Sequence, residues 1–430
     1  MDAIRISGGI PLHGTIPVGG AKNAALPLMA ACLLTDKKMT LSNLPHLMDI
    51  TTMANLLVHL GVRLSLDGCS EFDGHTGRVI EFDASGVTNT TAPYELVSKM
   101  RASVVVLGPL VARLGHAKVS LPGGCAIGPR PINLHLQALE KLGAQITLEH
   151  GYIEAKAPKG LKGAEIHFPI VSVGATENAM MAATLAEGTT VIHNAACEPE
   201  ITDLGQCLNT MGAEISGLDT RTLVIKGKPS LGSTNYAVIA DRIEAGTYAI
   251  AASITGGDIE LTGINESIMG ATFEKLLASG TEISKTETGL RFRRKGDILP
   301  LDIETAPYPL FATDMQAQFM ALLCLAKGTS HLTETIFENR FMHVPELMRM
   351  GAKIDVEGNT CTIYGIKAFK DAEVMATDLR ASVSLVLAAL AAKGETTINR
   401  VYHIDRGYES IEEKLGACGA KIGRVRALAT

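Results

Sequence analysis

A short phrase, apolar-Gly-small-x-apolar in outline, recurs six times along these 430 residues. It reads Leu60-Gly61-Val62-Arg63-Leu64, Leu142-Gly143-Ala144-Gln145-Ile146, Met211-Gly212-Ala213-Glu214-Ile215, Ser279-Gly280-Thr281-Glu282-Ile283, Met350-Gly351-Ala352-Lys353-Ile354 and Cys418-Gly419-Ala420-Lys421-Ile422. The glycines are 82, 69, 68, 71 and 68 residues apart. A repeat of this kind constrains the fold more than any composition does, because each copy must be one supersecondary unit that hides its apolar face against its neighbours. Each phrase predicts a helix closed by a C-cap glycine and followed at once by a strand. Upstream in every unit lies a second, more apolar helix, expected over 23–34, 102–114, 176–186, 247–255, 315–326 and 381–392. Most of these lead through Gly or a charged turn into a β-branched strand such as Gly188-Thr189-Thr190-Val191-Ile192. A helix that is apolar nearly all round belongs in an interior. The length exceeds one ordinary core, so six such units predict two cores with helices inward and sheets outward.

Composition narrows the function classes. Apolar residues make up 46% and charged ones 20%, which supplies enough burial without disulfides or metal. The formal charge is −6, Trp is absent and aromatic residues are only 4%, whereas a nucleic-acid binder presents a basic face or a stacking platform. The amino terminus has no apolar signal region, and the longest apolar runs, 104–107 and 383–392, fall short of a bilayer span. A cytoplasmic protein with no membrane partner is expected. The eight cysteines form no CxxC pair and no metal-ligand spacing, which predicts a reduced compartment and no metal.

Aligning the six units places unusual residues at the start of the apolar helix: Lys22-Asn23, Arg101-Ala102, Thr176-Glu177-Asn178, Arg242-Ile243-Glu244, Thr313-Asp314-Met315 and Asp378-Leu379-Arg380. Asp314, Glu244 and Asp378 read most simply as capping or first-turn acids. Cations there oppose the helix dipole, so Lys22, Arg101 and Arg380 point to an anionic ligand held at helix amino termini.

The segment Leu121-Pro122-Gly123-Gly124-Cys125-Ala126-Ile127-Gly128-Pro129-Arg130-Pro131 is too rich in Gly and Pro for helix or central strand, which puts Cys125 on a loop. Cys32, Cys207 and Cys324 read as small buried hydrophobes. Cys125 differs, because Arg130 five residues on is a cation able to lower a thiol pKa, making a proton donor or nucleophile. Gly123 to Gly128 has the spacing of a phosphate loop, but Pro129-Arg130 stands where Lys-Ser/Thr is required, so a nucleotide-triphosphatase reading fails. Arg340 in Glu338-Asn339-Arg340-Phe341-Met342-His343 and Arg406 in Tyr402-His403-Ile404-Asp405-Arg406 bring the candidate cations to six. That number suits a ligand carrying both carboxylate and phosphate.

Gly20-Ala21-Lys22-Asn23-Ala24-Ala25, Met100-Arg101-Ala102-Ser103, the loop from Leu121 to Pro131, Thr313-Asp314-Met315-Gln316-Ala317-Gln318, Glu338 to His343 and Thr377-Asp378-Leu379-Arg380-Ala381-Ser382 closely resemble the enolpyruvyl transferases, and within them the UDP-N-acetylglucosamine 1-carboxyvinyltransferases. The likeness runs from about residue 4 to about residue 425. It implies two inside-out α/β domains (α/β prisms), each of three repeated units, with the active site in the cleft between them. It places one domain at 22–239 and the other at 1–21 plus 240–430. The implied activity moves the enolpyruvyl group of phosphoenolpyruvate onto the 3′-hydroxyl of UDP-N-acetylglucosamine through a tetrahedral intermediate, releasing phosphate. That would be the first committed step of peptidoglycan synthesis, and it needs no cofactor and no metal.

By the same resemblance Cys125 is the proton donor and the residue labelled by fosfomycin, and Asp314 is the base at the sugar hydroxyl. Lys22, Arg130 and Arg406 match contacts to the phosphoenolpyruvate phosphate, with Arg340 and Arg380 near its anionic groups. Asn23, Arg101 and Ile336 match substrate positions. The segments Arg130, Pro131, Ile132, Asn133, Leu134 and Ile170, Val171, Ser172, Val173 match the nucleotide-sugar site. Asn133 stands where the family often has Asp, and Ile170 where many members have Lys, which bears on substrate affinity rather than on reaction type. Two other readings are a 3-phosphoshikimate 1-carboxyvinyltransferase, whose family lacks this cysteine loop, and a catalytically silent regulatory paralogue, against which Cys125, Asp314 and Lys22 speak.

Overall fold

The structure is a computed structural model that describes residues 2–72, 74–121 and 132–426. The repeated phrase does in space what its glycine requires. Gly61, Gly143, Gly212, Gly280, Gly351 and Gly419 are all left-handed, with φ of 106°, 96°, 99°, 92°, 91° and 95°. In every copy the next residue's N–H reaches back five positions, from Val62 N to Leu57 O at 3.0 Å in the first and from Ala420 N to Leu415 O at 3.1 Å in the last. This is a Schellman closure. An L side chain in that conformation costs about 1–2 kcal/mol, so the turn selects glycine.

Among the described residues the strands form six four-stranded sheets of one pattern. A short strand runs parallel to its neighbour, and two antiparallel strands follow. Glu165–His167 beside Thr189–His193, then Thr222–Lys226 and Glu214–Ser216, is one instance. The strands alternate burial, as in Glu395–Asn399, where Thr396 and Ile398 face inward and the others outward. One face of each sheet is thus wet and the other covers helices.

The helices beneath the sheets are buried on all sides. In Lys22–Ala31 every residue except Asn23 is buried, and in Gln316–Leu323 all are. Two of them start earlier than expected: Val173–Ala183 is capped by Ser172 and Arg242–Thr255 by Asp241, whose carboxylate accepts from the Ile243 and Glu244 amides. The helix expected at 102–114 is a 3-10 stretch, Arg101–Val106, running into Leu107–Leu114. Pro109 sits in the first turn of the latter, where an N–H is not missed.

Two hydrophobic clusters result. One draws on residues between Ala21 and Val238, the other on Ile4 to Val18 together with Ala240 to Cys418. The sixth unit is split across the chain: Asp2–Ser7 fits antiparallel between Glu395–Asn399 and Lys421–Arg426. Likewise His13–Pro17 lies parallel to Asp258–Thr262. The chain passes between clusters twice, and the two passes are bridged antiparallel at Gly20 and Ala240. Ala21 N donates to Ile239 O at 2.7 Å and Asp241 N to Gly19 O at 2.8 Å. Gly20 is required there, because a Cβ would lie 1.8 Å from the Asn43 carbonyl oxygen.

Candidate active site

Helix starts from both cores meet around two carboxylates. Lys22, the first residue of its helix, places Nζ 3.3 Å from Asp49 Oδ2, and Arg406 of the other core places Nε 2.9 Å from Asp49 Oδ1. Asp314 accepts from Arg340 Nη2 at 2.6 Å and pairs with Arg380 Nε at 3.6 Å. Asn23 reaches across from the first core to Asp314 Oδ2 at 3.4 Å. Six of the residues expected from sequence, Lys22, Asn23, Asp314, Arg340, Arg380 and Arg406, therefore come together.

Electrostatics follow from this crowding. Burial pushes the Lys22 ammonium down to about 8, Asp49 pulls it back up, and Arg380 adds to the depression. Burial would raise the Asp314 carboxyl, but Arg340 and Arg380 outweigh it and hold it well below the usual carboxylate range. Arg380 is 3% exposed, yet its three guanidinium nitrogens lack a hydrogen-bond acceptor among the described residues. Buried donors of this kind carry a desolvation cost that an anion would relieve.

The acids expected at helix starts divide into different jobs. Asp378 Oδ1 accepts from the Arg380 and Ala381 amides at 2.8 and 2.9 Å, as a cap does. Glu244 accepts from Gly19 N at 2.9 Å and from Lys414 Nζ at 2.6 Å, at the crossing between cores. Asp314 caps nothing, and its side chain is committed to cations.

A second group gathers at neighbouring helix starts of the first core. Arg101 opens the 3-10 stretch, Ile132 and Asn133 open Asn133–Lys141, and Ser172 caps Val173–Ala183. The fully buried Asn178 ties these together, accepting from Gly108 N at 2.7 Å and donating to Val104 O at 3.2 Å, with His135 Nδ1 2.7 Å away. Burial, reinforced by Arg101, pushes His135 down to about 4. Leu134 is buried, whereas Asn133 is exposed, Val171 is half-buried, and Ile170 and Val173 face solvent at 66% and 36% exposure. Ile170 and Val173 thus leave an apolar pair open to solvent beside the start of Val173–Ala183.

Cys125, Arg130 and Pro131 lie outside the described residues. Cys32, Cys207 and Cys324 are fully buried, and burial raises all three thiols. Sequence reasoning missed Asp49, a buried acid in the first turn of Met48–Leu60, because a first-turn acid on an amphipathic helix is commonplace. It also missed Thr313 and Glu334. Thr313 Oγ1 accepts from Arg340 Nη1 at 2.6 Å and donates to Glu334 Oε2 at 2.8 Å.

Only Glu165, His167 and His193 cluster as possible metal ligands among the described residues, with ligand atoms within 4.8 Å of one another. The two imidazoles are stacked 4.3 Å apart at 11°, so their lone pairs run parallel rather than converging on one ion. No helix among the described residues is long and apolar enough to cross a membrane.

Comparison with known proteins agrees with this architecture. A family profile described as EPSP synthase (3-phosphoshikimate 1-carboxyvinyltransferase) matches residues 6–415. A UDP-N-acetylglucosamine 1-carboxyvinyltransferase of Paramagnetospirillum magneticum is 62% identical over 427 residues, 99% of each chain. One of Rhodospirillum centenum is 59% identical over 429 residues, again 99% of each. Among solved structures, the enolpyruvyl transferase NikO from Streptomyces tendae superposes with a TM-score of 0.85 at 24% identity, over 99% of both chains. An EPSP synthase from Acinetobacter baumannii gives 0.77 at 18%, over 99% of this chain and all of its own. These two speak for the fold.

Proposed function

The chain belongs to the EPSP synthase family of enolpyruvyl transferases, and on that premise we propose that it transfers the enolpyruvyl group of phosphoenolpyruvate to the 3′-hydroxyl of UDP-N-acetylglucosamine and releases phosphate. The observation that carries this is the 62% identity, over the full length, to a relative that bears that activity's name. The two-carboxylate, four-cation cluster supports it, since such a cradle suits a phosphate and a carboxylate on one small substrate.

Lys22 and Arg406, and by resemblance Arg130, take the phosphate, and Arg380 and Arg340 face the remaining anionic groups. Asp314 accepts the proton of the sugar hydroxyl as its oxygen bonds to C2 of phosphoenolpyruvate. A carboxylate gripped by two arginines is a weak base. A dianionic substrate drawing on Arg380 and Lys22 loosens that grip and raises its basicity at the moment it is needed. Cys125 gives a proton to C3. C3 then returns a proton as the C2–O bond to phosphate breaks, leaving the enol ether on the sugar. Arg101, Ile132 to Leu134, Ile170 to Val173 and Ile336 hold the nucleotide sugar, and Asn23 bridges the two cores over it.

On this reading the two clusters are domains bounded at 22–239 and at 1–21 plus 240–430. The enzyme works in the cytoplasm at the entry to peptidoglycan and cell-wall synthesis, with fosfomycin as a covalent inhibitor at Cys125.

The test is phosphate release from phosphoenolpyruvate with and without UDP-N-acetylglucosamine. Release is expected only with the sugar, and none above the no-sugar control overturns the proposal. Release with 3-phosphoshikimate instead would move the chain to the other branch of its family. Cys125→Ala is expected to abolish turnover at neutral pH and to end labelling by fosfomycin, followed by intact mass. A fully labelled variant would clear Cys125 of that role.

A further inference from the structure

Glu334 follows the strand Thr329–Thr333 and is 2% exposed, with four donors converging on its carboxylate. Oε1 accepts from Thr305 Oγ1 at 2.9 Å and from the amides of Ile336 and Phe337 at 2.8 and 3.1 Å. Oε2 accepts from Thr313 Oγ1 at 2.8 Å. The Thr313 hydroxyl has one proton, and that proton is committed to Glu334. Its lone pair is thereby left to accept from Arg340 Nη1 at 2.6 Å, while Nη2 of the same guanidinium donates to Asp314 Oδ1 at 2.6 Å. The guanidinium carbon also lies 5.1 Å from the centre of the Phe337 ring, in the turn that Oε1 holds.

The polarity of this chain runs one way. An arginine only donates, so the threonine must accept from it and must pass its own proton to something that only accepts. We propose that Glu334 is a positioning residue for the transfer reaction, fixing the Arg340 guanidinium on Asp314 through the Thr313 hydroxyl and fixing the turn at Ile336 and Phe337 with its other oxygen. The inference rests on Asp314 acting in the reaction proposed above. Glutamine is close to glutamate in shape but cannot serve. With its amide nitrogen toward Thr313, the hydroxyl loses its acceptor and confronts Arg340 as a donor. With the amide turned round, the nitrogen meets two backbone N–H groups.

The experiment compares full-length Glu334→Gln, Thr313→Val, Thr313→Ser and the double variant Glu334→Gln/Thr313→Val with the parent by phosphate release, with thermal melts to show folding. Glu334→Gln and Thr313→Val should each lower kcat about tenfold to a hundredfold, the scale of one hydrogen bond to a charged group. KM for phosphoenolpyruvate should rise less than kcat falls, because Lys22 and Arg406, which take its phosphate, rest on Asp49 instead. Thr313→Ser, which returns the hydroxyl, should recover most of the loss. The double variant should be little slower than the slower single one, as members of one chain are. The proposal is overturned by a folded Glu334→Gln variant with kcat within about twofold of the parent, or by single losses that multiply in the double variant. Should Glu334→Gln fail to fold, equal rates for Thr313→Val and Thr313→Ser overturn it just as well. A parent that releases no phosphate sinks the function and this inference together, whereas an active parent with an active Glu334→Gln sinks this one alone.

Discussion

The two carboxylates at the centre of the site are held in opposite ways. Asp49 takes one cation from its own core, Lys22, and one from the other, Arg406. Asp314 takes both of its arginines from its own core, and its link across is the 3.4 Å hydrogen bond from Asn23. Asp314 is therefore assembled within one half, whereas Asp49 has only Lys22 from its own half and gains Arg406 when the halves face each other. On the proposed reading, a phosphate entering between Lys22 and Arg406 competes with Asp49 for both. On that reading the chemistry belongs to the preassembled acid and the hold on phosphate to the cations of the shared one.

Three changes break or sharpen this contrast. The largest effect belongs to Asp314→Asn, which removes the base and leaves Arg340 and Arg380 uncompensated; kcat should fall about a thousandfold, with binding of phosphoenolpyruvate retained. A variant keeping more than about a tenth of the parent rate would remove Asp314 from the chemistry.

Next comes pH. With its pKa lowered to about 8, Lys22 is charged below that value and loses its proton as pH rises through it. KM for phosphoenolpyruvate should climb between pH 7 and 9, and Lys22→Arg, which stays charged, should flatten the climb. Because Asp49 raises the Lys22 pKa, Asp49→Asn should move the onset to lower pH. A pH-independent KM in the parent would show that Lys22 does not hold the phosphate.

The smallest effect is expected from Gly20→Ala, whose new Cβ would meet the Asn43 carbonyl oxygen at 1.8 Å in the crossing between cores. It should cost about 1–3 kcal/mol by overpacking, read from denaturant melts. It should also raise KM more than it lowers kcat, since it disturbs the shared acid and spares the preassembled one. An equal loss in both would erase the distinction.

The repeat was legible because its glycine answers a local demand: a Schellman turn needs left-handed φ, and six copies of that demand print six glycines. Lys22 and Arg380 were legible for a similar reason, as cations set against a helix dipole in otherwise apolar surroundings. Asp49 and Glu334 were not. Their partners Arg406 and Thr313 lie 357 and 21 residues away, and an acid in a first turn or after a strand carries no local mark of its job. The early starts at Val173 and Arg242 were missed because Ser172 and Asp241 precede residues that look like loop until their caps are seen. The split sixth sheet was hidden as well, since Asp2–Ser7 is an ordinary strand whose partners are at the far end of the chain.

That split sets a timetable for synthesis. Asp2–Ser7 leaves the ribosome well ahead of its partners Glu395–Asn399 and Lys421–Arg426. At about 5–20 residues per second, the strand waits on the order of 20–80 s for them. Throughout that interval Ile4 and Ile6, fully buried in the finished molecule, have no sheet to join. The cluster from Ala21 to Val238 has all its strands long before then and is free to close on the nascent chain. The other cannot complete its split sheet until Lys421–Arg426 emerges, so the cluster that lends Arg406 to Asp49 is the later of the two to be finished.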